Sequence, residues 1–493
     1  MTKIQLNDKS LFGNDAGEDE DESVLVSYFV DQPAFSDFLD TTVRLQVARG
    51  RKGMGKSALL VRFAHDLKTL PEPPIVLHLV PSSLVALREP PSTENAVLLE
   101  NYWKQVICGA INMELANQIG FAWTDEQMAL VETAEISGFK GRNIFGALIS
   151  RVISKISIGG VIDISNAPKT APNQEQLLSR VRSQEGSPRF VWFLLDDIDT
   201  KFKNTTEQQV YISAFFSACR SLVREISGIG IRATVRTDVW SSLRNAEDLD
   251  KFDQYITEIG WVKNQQKEIL ANRILAYLKR NYPKSDIARH WTTEEHWDAL
   301  IELVFARRMK WGNSAVPSIH VLRILASGRP RWMAQLCRLA GVFASQLHSN
   351  HITIEHINHV MGDFGRRRLS DLYKEHGHQF DDLRRLIEAF SSGPRRYTTD
   401  ELLKRISYTY VKTRSAAKIP PIDGAPFKDG WQIAHFLYKC NFITGHNVGD
   451  ASLEVPEFVS YDARPDLLEV GTNLDDGMMW EIQPSYRSIL RTT

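Results

Sequence analysis

The chain has 493 residues, 43% of them hydrophobic, with 59 Lys and Arg against 60 Asp and Glu and a formal charge of -1. That length excludes a single core and leads one to expect about two to four domains, and the charge balance excludes a whole-surface polyelectrolyte binder while allowing a local basic face. Cys108, Cys219, Cys337 and Cys440 lack C-x-x-C spacing, which argues against a zinc knuckle or disulfide framework, and no run of about eighteen apolar residues suggests a membrane span, so the cytoplasm is the expected compartment.

Residues 1–22 end in an acidic run, Gly17 to Glu22, with little to bury, and are expected to form a flexible arm. Residues 23–40 are apolar and aromatic. In them Phe29, Phe35 or Phe38 either stacks on a bound base or packs into the core.

Val43, Leu45 and Val47 alternate as a strand that feeds a glycine-bearing turn, and Ala58, Leu59, Leu60 and Phe63 open an apolar helix. Between them Gly50, Gly55, Lys56 and Ser57 satisfy G-x-x-x-x-G-K-[ST], with Gly53 inside the turn. A triphosphate is a dense anion. Glycines let the backbone approach it, and the helix start at Lys56, Ser57 and Ala58 aims unpaired amides and a positive dipole end at it. Lys56 is expected on the β and γ phosphates and Ser57 on Mg2+. The bland alternative is a basic surface turn built from Arg49, Arg51 and Lys52.

Ile75 to Val80 reads as a second, buried strand, and residues 95–118 as a helix. Residues of about 120–186 are less regular and look like an insertion into a βαβ unit. Phe190 to Leu195 are six consecutive apolar residues, a strand buried on both faces, followed by Asp196, Asp197 and Asp199 where a parallel sheet places its ligands. Asp196 is expected to hold Mg2+ through water, and Asp197 to orient or deprotonate the attacking water; helix capping is the alternative. A third strand ends in Thr234, Arg236 and Asp238. Arg236 either touches the γ phosphate or forms an ion pair with Asp238 or Asp199. Residues 252–261 suggest a further strand.

From residue 263 the pattern turns helical. Pro330 fits the first turn of a helix whose start carries Arg329 and Arg331, either of which can sense a γ phosphate or be a solvated helix start. His348, His351, His356 and His359 lack a complementary cysteine, and Thr353 looks like a helix cap. Beyond residue 365, three helices and two alternating apolar pieces describe a winged helix. It is locally basic through Arg366, Arg367, Arg368, Arg384, Arg385, Arg395, Arg396, Lys404 and Arg405, which could face DNA or solvent.

Taken together, the GRKGMGKS loop, FLLDDID, the strand ending in VRTDVW, GRPRW on a helical lid and a terminal winged helix resemble the STAND branch of AAA+ related P-loop ATPases. The likeness is to bacterial ATPases associated with antiviral defence, and more distantly to origin-recognition ATPases. It implies an α/β P-loop sheet followed by a lid and a winged helix: an arm at 1–40, a nucleotide-binding domain at 41–262, a lid at 263–364 and a winged helix at 365–493. It further implies ATP and Mg2+ as cofactors, with Lys56 and Ser57 on phosphate and metal, Asp196 and Asp197 on metal and water, and Arg329 or Arg331 as lid sensor. The implied function is an ATPase switch that controls self-association or a partner effector, with no membrane; the alternative is an ATPase that loads on or remodels duplex DNA. The long insertion departs from the family's core, and no effector segment follows the winged helix.

Overall fold

The computed structural model describes residues 4–14, 17–87, 90–119, 173–183, 189–200, 202–243, 249–414, 419–446, 458–469 and 478–492. Five strands pair in parallel in the order β2-β3-β4-β1-β5, with β1 Leu45–Arg49, β2 Ile75–Leu79, β3 Val191–Leu195, β4 Ile229–Val235 and β5 Ile256–Glu258. Every residue of β3 and β4 is buried; β3 therefore reads as an unbroken apolar run, while β4 interrupts its apolar residues with the buried Arg232 and Thr234. Parallel neighbours need crossovers, and the helices α1 (Lys56–Lys68), α2 (Ala96–Ile119) and α3 (Thr206–Glu225) belong to them. On α2 the buried stripe is Trp103, Ile107, Ile111 and Leu115; Val97 and Leu98, expected on the same stripe, are exposed. Most of the expected insertion, residues 120–172, lies outside the described residues. Its described part, Gln174–Ser183, is helical and is tied to α2 by Asn112 Nδ2, 3.0 Å from the Gln174 carbonyl.

Contacts divide the chain into two units, one of residues 32–49 and 59–258, the other of residues 1–31, 50–58 and 259–493. In the first, Phe35 and Phe38 are buried, the core fate of the two that the sequence allowed. Arg232 on β4 anchors the lead-in to the sheet: its guanidinium donates to the carbonyls of Phe38 at 2.7 Å, Asp40 at 2.8 Å and Val43 at 2.7 Å, and it lies 4.5 Å from the Trp192 ring centroid.

The second unit corrects the flexible arm. Leu6, Leu11 and Phe12 are buried in the core formed by α4 (Lys263–Asn281), α5 (Pro330–Gln346) and α6 (Ile354–His376), because three apolar side chains outweigh the acidic run that follows them. That run is itself used: Glu20 accepts from the Asn14 amide at 2.7 Å and the Tyr28 hydroxyl at 3.0 Å, and Asp21 caps the short helix Glu22–Ser27. The lid is not wholly helical either. Amphipathic spacing predicts a helix over residues 297–307, but it stops at Glu302, and a hairpin follows, β6 Arg308–Trp311 against β7 Ser314–Pro317, turning at Gly312 with φ 60°. Thr353 and His356 cap α6, with the Thr353 amide 2.9 Å from His356 Nδ1, while His359 stacks on Phe343.

The expected boundary at residue 365 falls inside α6, which runs unbroken through it. Phe364 belongs to the lid core and Leu372 to the next one, so lid and winged helix share a rod. The winged helix has helices Leu383–Glu388, Thr399–Ile406 and Gly430–Lys439 and an antiparallel sheet in the order β10-β9-β11-β8. Its strands are β8 Arg396–Tyr397, β9 Ile443–His446, β10 Phe458–Val459 and β11 Met479–Ile482. The first apolar piece expected there, residues 453–461, is described only from residue 458.

Candidate functional site

The chain leaves β1 at Arg49, and α1 begins at Lys56. In the intervening turn Gly53 and Gly55 have φ of 81° and 103°, conformations that side-chain-bearing residues rarely adopt. A Cβ on Gly53 would also stand 3.1 Å from Arg331 Cβ. Lys56 is buried, and its Nζ donates to the Gly50 carbonyl at 3.2 Å, drawing the turn closed around the first amides of α1, which have no intrahelical acceptor.

Several side chains and one amide of its own unit hold the turn. Trp261 Nε1 donates to the Met54 carbonyl at 2.7 Å, and the Arg331 amide donates to the Gly53 carbonyl at 3.3 Å. Arg329 Nη1 donates to the Lys52 carbonyl at 3.2 Å and to both oxygens of Glu375, at 2.8 and 3.0 Å. Lys52 Nζ lies 3.0 Å from Asp371, and Arg51 Nη2 lies 2.7 Å from Asp462. Arg51 Nη1 is buried and has no hydrogen-bond partner among the described residues, so the turn retains a donor suited to an anion.

Arg329 is therefore committed to Glu375. Both side chains are almost fully buried, and the guanidinium rests 4.1 Å from the Trp332 ring centroid. Burial pushes the Glu375 carboxyl up, but Arg329, then His376 and Arg51, outweigh it and hold it at about 2. Of the two expected lid sensors, Arg329 has become a support under the turn, whereas Arg331 sits directly against Gly53.

In the sheet unit, Asp196 and Asp197 follow β3 at its carboxyl end. Thr234 on β4 donates its hydroxyl to Asp196 Oδ1 at 2.6 Å and accepts the Asp197 amide at 2.7 Å. Asp197 takes φ 51°, a left-handed conformation tolerated by short polar side chains. Arg236 gives its amide and Nε to Asp199 Oδ2, at 2.8 and 3.0 Å, and Nη2 lies 3.5 Å from Asp238. The ion-pair alternative for Arg236 is the one the geometry adopts. Asp199 is buried, and its Oδ1 has no hydrogen-bond partner among the described residues.

Gly50, Gly53, Gly55, Lys56, Ser57 and Ala58 thus share a unit with Arg329 and Arg331, and Asp196, Asp197 and Arg236 gather at the carboxyl ends of the adjacent inner strands β3 and β4. Sequence reasoning passed over Trp261, Asp371, Glu375 and Asp462. An aromatic directly after the last strand was the available signal for Trp261; single acidic residues hundreds of positions from the turn offered none.

No family model matches the chain, and no curated protein matches it. Among solved structures it is similar to the Walker-type ATPase PABY2304 of Pyrococcus abyssi, at 12% identity and TM-score 0.39 over 94% of this chain and 96% of that one. It is similar also to Cdc6p from Pyrobaculum aerophilum, at 11% and 0.29 over 96% and 98%, and to the Aeropyrum pernix ORC1 protein in complex with DNA, at 12% and 0.35 over 89% and 92%. Likeness at this level leaves function to the site itself. Among the described residues no helix is long and apolar enough to cross a membrane.

Proposed function

We propose that this chain is an ATP-binding and ATP-hydrolysing molecular switch. The observation that carries it is the seating of the lid on the phosphate turn: the Arg331 amide bonds to Gly53 and the Trp261 indole to Met54, so the lid shares backbone contacts with the segment that would grip the nucleotide. A triphosphate fits the turn's own chemistry, with two left-handed glycines, the buried amine of Lys56 and the unspent Arg51 donor.

In this reading the turn from Gly50 to Gly55 and the amides of Lys56, Ser57 and Ala58 bind phosphate, Lys56 neutralises the β and γ oxygens, and Arg331 is the lid residue that senses them. Ser57 would offer Mg2+ a hard oxygen ligand and Asp196 would hold it through water; the metal, when bound, would neutralise charge on the phosphate oxygens. Thr234 fixes one oxygen of Asp196, which leaves the other for a water of the metal. Asp197 orients the attacking water, and Arg236 with Asp199 holds the end of β4 in register beside it. Loss of the γ phosphate would remove what favours the closed arrangement. The output is self-association or contact with a partner effector, as in the defence ATPases the sequence resembles.

The test is equilibrium binding of a fluorescent ATP analogue with Mg2+, followed by mass measurement with ADP and with a non-hydrolysable analogue. Binding that Lys56→Ala weakens by about tenfold or more, or abolishes, with different masses in the two nucleotide states, supports the switch; no binding by the wild-type chain rejects it.

The DNA-loading alternative finds less support in the winged helix. Its third helix, Gly430–Lys439, carries one basic residue besides His435, Lys439, which pairs with Asp423. Of the arginines that suggested a DNA face, Arg368 is buried 4.4 Å from the Trp332 ring centroid, Arg396 pairs with Glu481 and Arg384 lies over Tyr373.

A further inference from the structure

We infer that Asp371 and Asp462 form an acidic latch that occupies the basic side chains of the phosphate turn and that a triphosphate must displace. The inference rests on the reading of the turn as a phosphate site and names the regulation of that site.

Lys52 and Arg51 are the two cations of the turn beyond Lys56, and each meets a carboxylate from a different distant element. Lys52 reaches Asp371 on α6 at 3.0 Å, and Arg51 reaches Asp462, in the segment after β10, at 2.7 Å. The same two cations are the side chains that an incoming phosphate would recruit, since ionised donors make the strongest bonds to phosphate oxygens. Carboxylate and phosphate therefore compete for them. The two halves of the latch are not equal. Asp371 is held on its other oxygen by the buried Arg368 at 3.0 Å, so it stays in place when Lys52 leaves. Asp462 is more than half exposed, while Arg51 is largely buried, so the Asp462 side chain is the part free to swing away, on a segment that Leu467 and Leu468 anchor in the core. Arg51 keeps one buried Nη with no hydrogen-bond partner among the described residues, a donor that the guanidinium can offer phosphate once Asp462 lets go.

A latch and a structural brace predict opposite signs. If the carboxylates brace the turn, neutralising them weakens nucleotide binding; if they compete with phosphate, neutralising them strengthens it. Each partly exposed pair is modest, so the expected gain for Asp371→Asn with Asp462→Asn is about two- to tenfold in ATP affinity. Asp462→Asn alone, which leaves the Arg368 contact intact, should give part of that gain and guards against misfolding of the double variant.

The experiment measures the Kd of a fluorescent ATP analogue with Mg2+ for the full chain, both variants and Lys56→Ala, together with amide hydrogen exchange in residues 458–469. Tighter binding in the variants, and faster exchange of that segment when ATP is added to the wild type but not to Lys56→Ala, supports the latch. Unchanged or weaker binding in a folded Asp462→Asn protein whose wild type binds ATP overturns the latch alone. A wild type that does not bind ATP overturns the phosphate site and the latch with it.

Discussion

Thr234 donates its hydroxyl to Asp196 at 2.6 Å and accepts the amide of Asp197 at 2.7 Å, so one oxygen on β4 fixes the carboxylate of one aspartate and the backbone of the next at the end of β3. Thr234→Val keeps the shape and removes the oxygen, leaving a buried carboxylate oxygen and an amide short of a partner. We expect a stability loss of about 1–3 kcal/mol and a drop in ATP turnover with nucleotide affinity little changed. Urea denaturation and steady-state hydrolysis across ATP concentration check both; a variant with wild-type kcat would remove Thr234 from the site.

Asp197 holds φ 51° without being glycine. Asn tolerates that backbone, so Asp197→Asn should fold with an unchanged melting temperature while hydrolysis slows by about 10²- to 10⁴-fold, the usual range for a lost general base. Asp197→Val should instead cost stability, about 1–2 kcal/mol from the left-handed strain. If Asp197→Asn turns over ATP normally, the base lies elsewhere.

Gly53 combines a left-handed φ with backbone contact to the lid. Gly53→Ala must either strain the turn or push Arg331 away, and weaker nucleotide binding is the expected result. Lys56→Ala should weaken binding more, by about ten- to a hundredfold, because it removes a charge-assisted bond to phosphate. Titration of both variants with a labelled ATP analogue ranks them, and the reverse order would contradict the roles of Lys56 as phosphate ligand and Gly53 as the turn's hinge to the lid.

What was legible in the sequence follows period and adjacency. β3 is buried on both faces and so appears as an apolar run, and the turn before α1 is dense in residues whose chemistry is local: glycine for φ, lysine for charge. Contacts between distant segments were not legible. The arm at residues 4–14 looked solvated because its acidic neighbours dominate the composition, yet three side chains, Leu6, Leu11 and Phe12, settle its position. Arg329 looked like a sensor because helix starts with arginine often face ligands; only the fold brings Glu375, 46 positions away, to claim it. The boundary at residue 365 was invisible for a related reason, since a helix that crosses from one core to the next keeps a single uninterrupted period.

The Arg329–Glu375 pair also makes the acid stability of the C-terminal unit predictable. Glu375 titrates at about 2 against an ordinary 4.5, so its contribution is complete above about pH 4.5 and is lost as pH falls toward 2. Next to it His376 is fully buried. Burial pulls its pKa down to about 4 from 6.5, against the opposing pull of Glu375 and a bond to Gln379, so the folded protein keeps the ring neutral while the unfolded chain would protonate it. That contribution is complete above pH 6.5 and declines between 6.5 and 4. The two signs agree, and stability should fall steadily on acidification, first through His376 and then through Glu375. The urea midpoint at about pH 5 should lie below that at about pH 7.5, and His376→Gln should flatten the difference. Removing one partner, as in Glu375→Ala, strands a buried guanidinium and should cost about 3–5 kcal/mol, whereas Arg329→Met with Glu375→Leu should regain much of it. Burial also lowers the pKa of His320, His356, His435 and His446 in the same unit, so the decisive reading is the difference between wild type and His376→Gln: equal midpoint shifts in the two would remove His376 from the acid response.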